Sequence, residues 1–215
     1  MRIIAGIAKG MTLAAPRGDA RPTSDRVREA IFSSLGERVV GATVLDLFAG
    51  SGALGLEAAS RGASAVTFVE NARASLDAIE RNLESFRRNR GVNCEFRVLR
   101  ADVFALLSRF AVLVGAPFRA RPGYPDRGQK AAPTELSPST LIFADPPYGE
   151  TAQKLLALPL PLATGGVLVL ESAKRDALMP GEAWNVKREA IYGDTRVSFL
   201  VQTASSMPTG PTPGC

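Results

Sequence analysis

The chain has 215 residues, 46% of them hydrophobic and 22% charged, which supports one full-size domain with a buried core and excludes both a large multidomain machine and a disordered chain. Its formal net charge of +5 is unevenly spread: residues 1–38 carry +3, 39–80 carry −3, 81–127 carry +6 and 128–215 carry −1, a pattern that suits either a solvated arginine-rich surface or contact with nucleic-acid phosphates. Histidine is absent and the only cysteines are Cys94 and Cys215, so imidazole-based triads, zinc sites and a disulfide framework are excluded and no metal is expected.

In chain order, Ile3-Ile4-Ala5-Gly6 and Gly10-Met11-Thr12-Leu13 read as a small hairpin. Arg21-Pro22-Thr23-Ser24 then leads into a helix, with Thr23 or Ser24 as N-cap and Val27, Ala30, Ile31, Ser34 and Leu35 along one face. Residues 42–49 form a buried strand that Gly50-Ser51-Gly52 breaks before a helix over 53–60. A second strand, 65–69, ends at Glu70 and precedes a helix with Leu76, Ile79, Leu83 and Phe86 at three- and four-residue spacings. Strand 94–99 leads to Asp102 and an apolar helix over 103–110; strand 141–144 runs into Asp145-Pro146-Pro147-Tyr148; strand 166–170 ends at Glu171.

This alternation predicts an α/β fold: a Rossmann-like, mostly parallel sheet with helices on both faces. Two strand-like runs, 184–192 and 195–202, joined through Gly193-Asp194, predict a hairpin that contributes one antiparallel strand. Residues 111–139, rich in Pro, Gly and Arg, are expected as an inserted loop, and 203–215 as a disordered tail. The expected organisation is an amino-terminal arm (1–38) appended to one domain (39–202) and the tail. No run of about 18 apolar residues occurs, and the first residues lack the apolar stretch of a secretory signal, so a cytoplasmic location is expected.

Gly50, Gly52 and Gly55 satisfy a GxGxxG pattern at a strand-to-helix turn, where backbone approaches a ligand closely. The pattern fits a dinucleotide fold or an S-adenosylmethionine fold. Asp46, still in the strand, is placed to hold the turn's amides or to meet a cofactor ammonium. Glu70, at the next strand end, is placed to accept hydrogen bonds from ribose hydroxyls. Asp102 is placed either to take a hydrogen bond from an adenine amino group or to cap the following helix, and the two roles are compatible.

Asp145-Pro146-Pro147-Tyr148 is the most specific signal. Two prolines forbid helix directly at the strand end. The Asp145 carboxylate and the Pro146 carbonyl then form a rigid acceptor pair for an exocyclic amine, beside a ring on which a flipped-out base can stack. Such acceptors stabilise the positive charge that develops on nitrogen during methyl transfer.

Together with Arg2-Ile3-Ile4-Ala5-Gly6, Lys9-Gly10, residues 21–29 and Tyr192-Gly193-Asp194-Thr195, these motifs resemble the class I S-adenosylmethionine-dependent methyltransferases. Within that class they resemble the RsmD-type enzymes that methylate N2 of a guanine in bacterial small-subunit 16S rRNA. The resemblance implies S-adenosylmethionine bound by Asp46, Phe48, Ala49, Gly50, Gly52, Glu70, Asp102 and Asp145. It implies a target-amine site of Asp145, Pro146 and Tyr148, with 16S rRNA or the small ribosomal subunit met by Arg2, Lys9, Arg21, Arg26 and Tyr148. The chain departs from the family in the length of 111–139 and in Ile7-Ala8, where more basic or aromatic residues are expected. Three other readings compete: a DNA adenine-N6 methyltransferase, for which the chain offers little target-recognition structure; a noncatalytic RNA-binding assembly protein; and a nicotinamide dehydrogenase, for which no catalytic His exists.

Overall fold

The computed structural model describes residues 1–16, 24–113 and 136–203. Its elements are α1 (Asp25–Leu35), a 3-10 turn (Gly36–Val39), β1 (Thr43–Leu47), α2 (Ala53–Ser60), β2 (Ala65–Glu70), α3 (Arg73–Arg87), β3 (Glu95–Arg100), α4 (Val103–Leu113), β4 (Ser139–Ala144), α5 (Thr151–Leu156), β5 (Leu162–Ala173), β6 (Trp184–Tyr192) and β7 (Thr195–Gln202). The strands form a seven-stranded sheet in the order β3-β2-β1-β4-β5-β7-β6. The first five pair in parallel, and β7 runs antiparallel to both β5 and β6, so the expected Rossmann-like sheet with one antiparallel strand is present.

The period-two alternation of the central strands divides the core. Val44, Leu141, Phe143, Val167 and Val169 join one cluster with apolar residues of α1, α2 and α3, whereas Leu45, Leu47, Ile142, Ala144, Leu168 and Leu170 join a second with α4 and α5. Both faces are therefore covered. No helix among the described residues is long and apolar enough to cross a membrane.

The first residues are built into this core rather than laid against it. Ile3, Ala8 and Leu13 are buried in the same cluster as Val27, Ile31 and Phe32 of α1. The expected hairpin is present but short: Arg2 bridges Thr12, the Ile3 N–H donates to the Met11 carbonyl at 3.0 Å and the Gly10 N–H to the Ile3 carbonyl at 2.9 Å, and beyond Ile3 α2 takes the amides that would extend the ladder. The Glu57 carboxylate accepts the Ile4 and Ala5 N–H groups at 2.7 and 3.1 Å, the Ser60 carbonyl accepts from Ile7 at 2.8 Å, and Ser60 Oγ accepts from Ala8 at 3.0 Å.

Ser24 caps α1, its hydroxyl accepting the Val27 N–H at 3.3 Å. The buried face of α1 is Val27, Arg28, Ile31, Phe32 and Leu35. Ala30 and Ser34, expected on that face, flank it half-buried, because Phe32 turns inward to meet Phe143 at 5.5 Å between ring centroids. The α4 helix continues to Leu113 and β4 begins at Ser139, so both ends of the expected 111–139 loop are regular. Its remainder 114–135, the tail 204–215 and residues 17–23, including Arg21, lie outside the described residues. The sequence reading did not anticipate α5, and β5 begins before 166 because Leu162 still pairs with Ser139 across an irregularity.

Gly6 has φ +83°, and a Cβ built there would overlap the Ser60 carbonyl. Gly6→Ala should lower the unfolding free energy in urea by about 3 kcal/mol, combining the left-handed backbone cost with the overlap. Gly10→Ala, also at positive φ but with nothing nearby, should cost about 1–2 kcal/mol from the backbone alone. Equal losses would remove the overlap as the reason for Gly6.

Candidate active site

The chain moves outward from β1 to β2 and β3, then returns to place β4 on the other side of β1. That reversal opens a crevice beyond the carboxyl ends of β1 and β4, the place where open α/β sheets bind ligands. Leu47 and Ala144 are register partners there, so the turn starting at Phe48 and the turn starting at Asp145 leave the sheet side by side.

The turn after β1 is bent by positive φ at Phe48 (59°), Gly50 (57°) and Gly52 (76°). Phe48 is the only non-glycine residue in that region among the described residues, a backbone conformation that costs on the order of 1–3 kcal/mol and marks functional turns. Three polar side chains hold the loop. Glu70 Oε2 accepts the Gly50 N–H at 2.8 Å, Asp46 Oδ2 accepts the Gly55 N–H at 2.9 Å, and Asn82 Nδ2 donates to the Ser51 carbonyl at 2.9 Å. A Cβ on Gly55 would overlap the Phe68 ring and Val66, whereas one on Gly50 would meet nothing closer than 4.0 Å. Gly55 is small so that α2 can seat on the sheet, and Gly50 faces open space that a ligand can fill.

The acids at the strand ends have distinct environments. Asp46 is buried, and desolvation pushes its carboxyl from 3.8 up to about 8, opposed by the Gly55 hydrogen bond and reinforced by repulsion from Asp145 and Glu70. Those interactions place the three carboxyls of Asp46, Glu70 and Asp145 in one neighbourhood. Besides Gly50, Glu70 holds the Asn71 and Ala72 amides at 2.8 and 2.9 Å through Oε1, so its carboxylate shapes both the glycine turn and the entry to α3. Asp102 caps α4, Oδ1 accepting the Ala105 N–H at 2.9 Å. Beside it Phe104 meets Phe48, with ring centroids 5.9 Å apart, which gives the crevice an apolar side. The Cys94 thiol, half-buried and next to Glu95, is pushed up to about 11, the wrong direction for a nucleophile.

Asp145 to Tyr148 follow β4 without helix or strand of their own. Tyr148 is 43% exposed, and its hydroxyl lies 3.3 Å from Thr195 Oγ1 at the start of β7. Three of the basic residues expected at the RNA lie around the first turn of α1, beside the acidic Asp25 and Glu29. Arg2, Lys9 and Arg26 border a cleft of about 290 Å³ between the arm and α1. Arg26 also borders a cleft of about 320 Å³ with Ser24, Tyr192 and Gly193, and Gly193 is two residues from the Thr195 that meets Tyr148. In the basic segment 81–127, Arg87 lies over the Phe96 ring at 5.8 Å and Arg88 pairs with Glu84 at 2.6 Å.

Two organising residues escaped the sequence reading. Glu57 is fully buried and pairs with Arg61 at 2.7 Å while holding the arm; a lone acid in the apolar run 53–60 was the available signal. Asn82 sits inside the apolar stripe of α3. Besides Ser51, it exchanges two hydrogen bonds with the Ala14 backbone at 2.7 and 3.0 Å, fastening the arm to the glycine turn. An amide interrupting that stripe was its signal.

Strand order, glycine turn and the Asp145-Pro146-Pro147-Tyr148 turn across the crevice define a class I methyltransferase fold. Comparison with known proteins narrows it. The chain belongs to the family described as Conserved hypothetical protein 95, whose pattern matches residues 1–113. Ribosomal RNA small subunit methyltransferase D of Escherichia coli (strain K12) is 32% identical over 199 residues, covering 90% of this chain and 85% of that protein. The protein of the same name from Haemophilus influenzae is 28% identical over 198 residues, covering 90% and 89%. Among solved structures, yhhF from Escherichia coli, described as a candidate methyltransferase, superposes with a TM-score of 0.70 at 31% identity over 95% of this chain and 98% of its own. A hypothetical protein from Thermus thermophilus gives 0.66 at 26% identity over 94% and 99%.

The raised value at Asp46 has a signed consequence. A carboxyl with a higher folded than unfolded value favours the fold fully below 3.8, and that contribution is lost as pH rises through about 8. Asp46→Asn keeps an oxygen for the Gly55 N–H and removes the titration. Between about pH 4 and pH 9 the melting temperature of the native protein should therefore fall relative to that of Asp46→Asn. Parallel pH profiles would show that Asp46 is not protonated in the folded state.

Proposed function

We propose that the protein transfers a methyl group from S-adenosylmethionine to the exocyclic N2 amino group of a guanine in small-subunit 16S rRNA. The observation that carries this reading is the Asp145-Pro146-Pro147-Tyr148 turn facing the glycine turn across the switch point between β1 and β4. The relatives named ribosomal RNA small subunit methyltransferase D support the RNA substrate, and the basic residues around α1 suit its phosphates.

The residues present fit the cofactor. Open space at Gly50 would admit its methionine and ribose, Glu70 would offer its remaining acceptor capacity to ribose hydroxyls, and Phe48 with Asp102 would suit an adenine, apolar on the face and hydrogen-bonding at the edge. When bound, S-adenosylmethionine would supply an electrophilic methyl group and, as its sulfur–methyl bond breaks, leave as S-adenosylhomocysteine. The guanine amine is a poor nucleophile because its lone pair is delocalised into the ring. The Asp145 carboxylate and Pro146 carbonyl each accept one of its N–H groups, drawing the nitrogen toward tetrahedral geometry and stabilising the charge that develops as the N–C bond forms. The surplus proton leaves along the hydrogen bond to Asp145. Tyr148 stacks on the base after it has left the RNA stack. Arg2, Lys9 and Arg26 hold the backbone, so affinity for RNA falls as salt rises.

The test is incubation of the purified protein with labelled S-adenosylmethionine and, separately, 16S rRNA, small subunits and duplex DNA, followed by nucleoside mass spectrometry. N2-methylguanosine in the ribosomal samples alone is the expected result; N6-methyladenine in DNA or no product would replace the reading with one of its competitors. Asp145→Ala should lower the single-turnover rate by about 10²–10³ while S-adenosylhomocysteine affinity stays nearly intact. In calorimetry the protein should bind S-adenosylhomocysteine and ignore NAD, and Glu70→Ala should weaken cofactor binding by about 1.5–3 kcal/mol.

A further inference from the structure

The turn carrying Asp145, Pro146 and Tyr148 has no ladder of its own, so its geometry depends on tethers from elsewhere. One comes from the connection between β5 and β6. Asp176 Oδ2 accepts the Gly149 N–H at 3.1 Å, immediately after Tyr148, and also the Ala173 N–H at 3.3 Å at the end of β5. One carboxylate oxygen thus joins the turn to the sheet.

Asp176 is itself held firmly. Its own N–H donates to the Ala173 carbonyl at 3.0 Å, and its carbonyl accepts Arg196 Nη1 at 2.7 Å. Arg196 Nη2 reaches the Lys174 carbonyl at 3.1 Å, and the Lys174 N–H donates to the Asp194 carbonyl at 2.7 Å. Thr195, between Asp194 and Arg196, meets the Tyr148 hydroxyl. Downstream, Gln153 of α5 exchanges two 2.8 Å hydrogen bonds with the Met179 backbone. These bonds tie the β5–β6 connection to the start of β7 and to α5, and Asp176 is the side chain that joins it to the backbone beside Tyr148.

We propose that Asp176 is a positioning residue for methyl transfer: by holding Gly149 it fixes the Asp145-to-Tyr148 turn in the geometry that presents the acceptor pair and the ring to the target base. The inference rests on the methyltransferase reading above. Asp176 acts through the turn and touches neither cofactor nor base. Its effect falls on the chemical step, where misplacement by about an ångström costs up to about 10²-fold in rate.

The experiment compares the full chain with Asp176→Ala and Asp176→Asn by amide hydrogen exchange over 145–153, S-adenosylhomocysteine calorimetry and single-turnover methylation of 16S rRNA. Asp176→Ala should speed exchange at Gly149 and lower the transfer rate by about 10–100-fold at saturating RNA, with cofactor affinity within about twofold of wild type. Asp176→Asn, whose amide oxygen can accept the same N–H, should restore slow exchange and a rate within about threefold of wild type. Wild-type exchange or wild-type rate in Asp176→Ala, or an Asp176→Asn protein as slow as Asp176→Ala, overturns the proposal. A wild-type protein that methylates no RNA defeats the functional reading instead, and the exchange arm then decides whether Asp176 holds the turn.

Discussion

The close approach of α2 to the sheet at Gly55 is the constraint on which the rest of the molecule depends. No side chain fits there, since a Cβ would overlap Phe68 and Val66, so the first turn of α2 lies directly on β1 and β2 and Asp46 can reach the Gly55 amide from below. Seating the helix this low sets the path of the glycine turn at one end. At the other end it presents Glu57 and Ser60 to the arm. One helix of eight residues therefore positions both the cofactor side and the amino-terminal side of the candidate site.

Two buried carboxyls, Glu57 within that helix and Asp46 on β1 beneath it, are accommodated in opposite ways. Glu57 has Arg61 and two arm amides as partners, so burial ties the arm to α2 around a compensated charge. Asp46 has a single amide and two acidic neighbours, and its environment favours the proton. Taking up a proton relieves repulsion at a crevice already shared by Glu70 and Asp145.

The arm and the target turn are connected around the outside of the sheet. Asn82 links the arm to Ser51, and the first turn of α1 separates two clefts that share Arg26. The second cleft reaches the Gly193 turn, from which Thr195 meets Tyr148.

The order of residues alone specified the alternation of strands and helices, the antiparallel carboxy-terminal strand, the glycine turn and the Asp145-Pro146-Pro147-Tyr148 turn. Each is written in local signals: period-two or 3.6 hydrophobicity, glycine where a strand stops, prolines that forbid helix. It also marked Glu70 and Asp102 as strand-end acids and Asp102 as a helix cap, which its bond to the Ala105 N–H bears out; the three amides that Glu70 holds had no local signal. Long-range packing settled that four of the arm's amides, those of Ile4, Ala5, Ile7 and Ala8, would go to α2 beyond the short hairpin pairing, that Arg28 and Phe32 would face inward on α1, and that Asp176 would reach the turn beside Tyr148. Those choices depend on contacts between residues 26 to 68 positions apart, as with Arg28 and Arg2, Gly149 and Asp176, or Asn82 and Ala14. No hydrophobic period or turn signal encodes such a pair, because its energy exists only once the sheet has brought the two segments together.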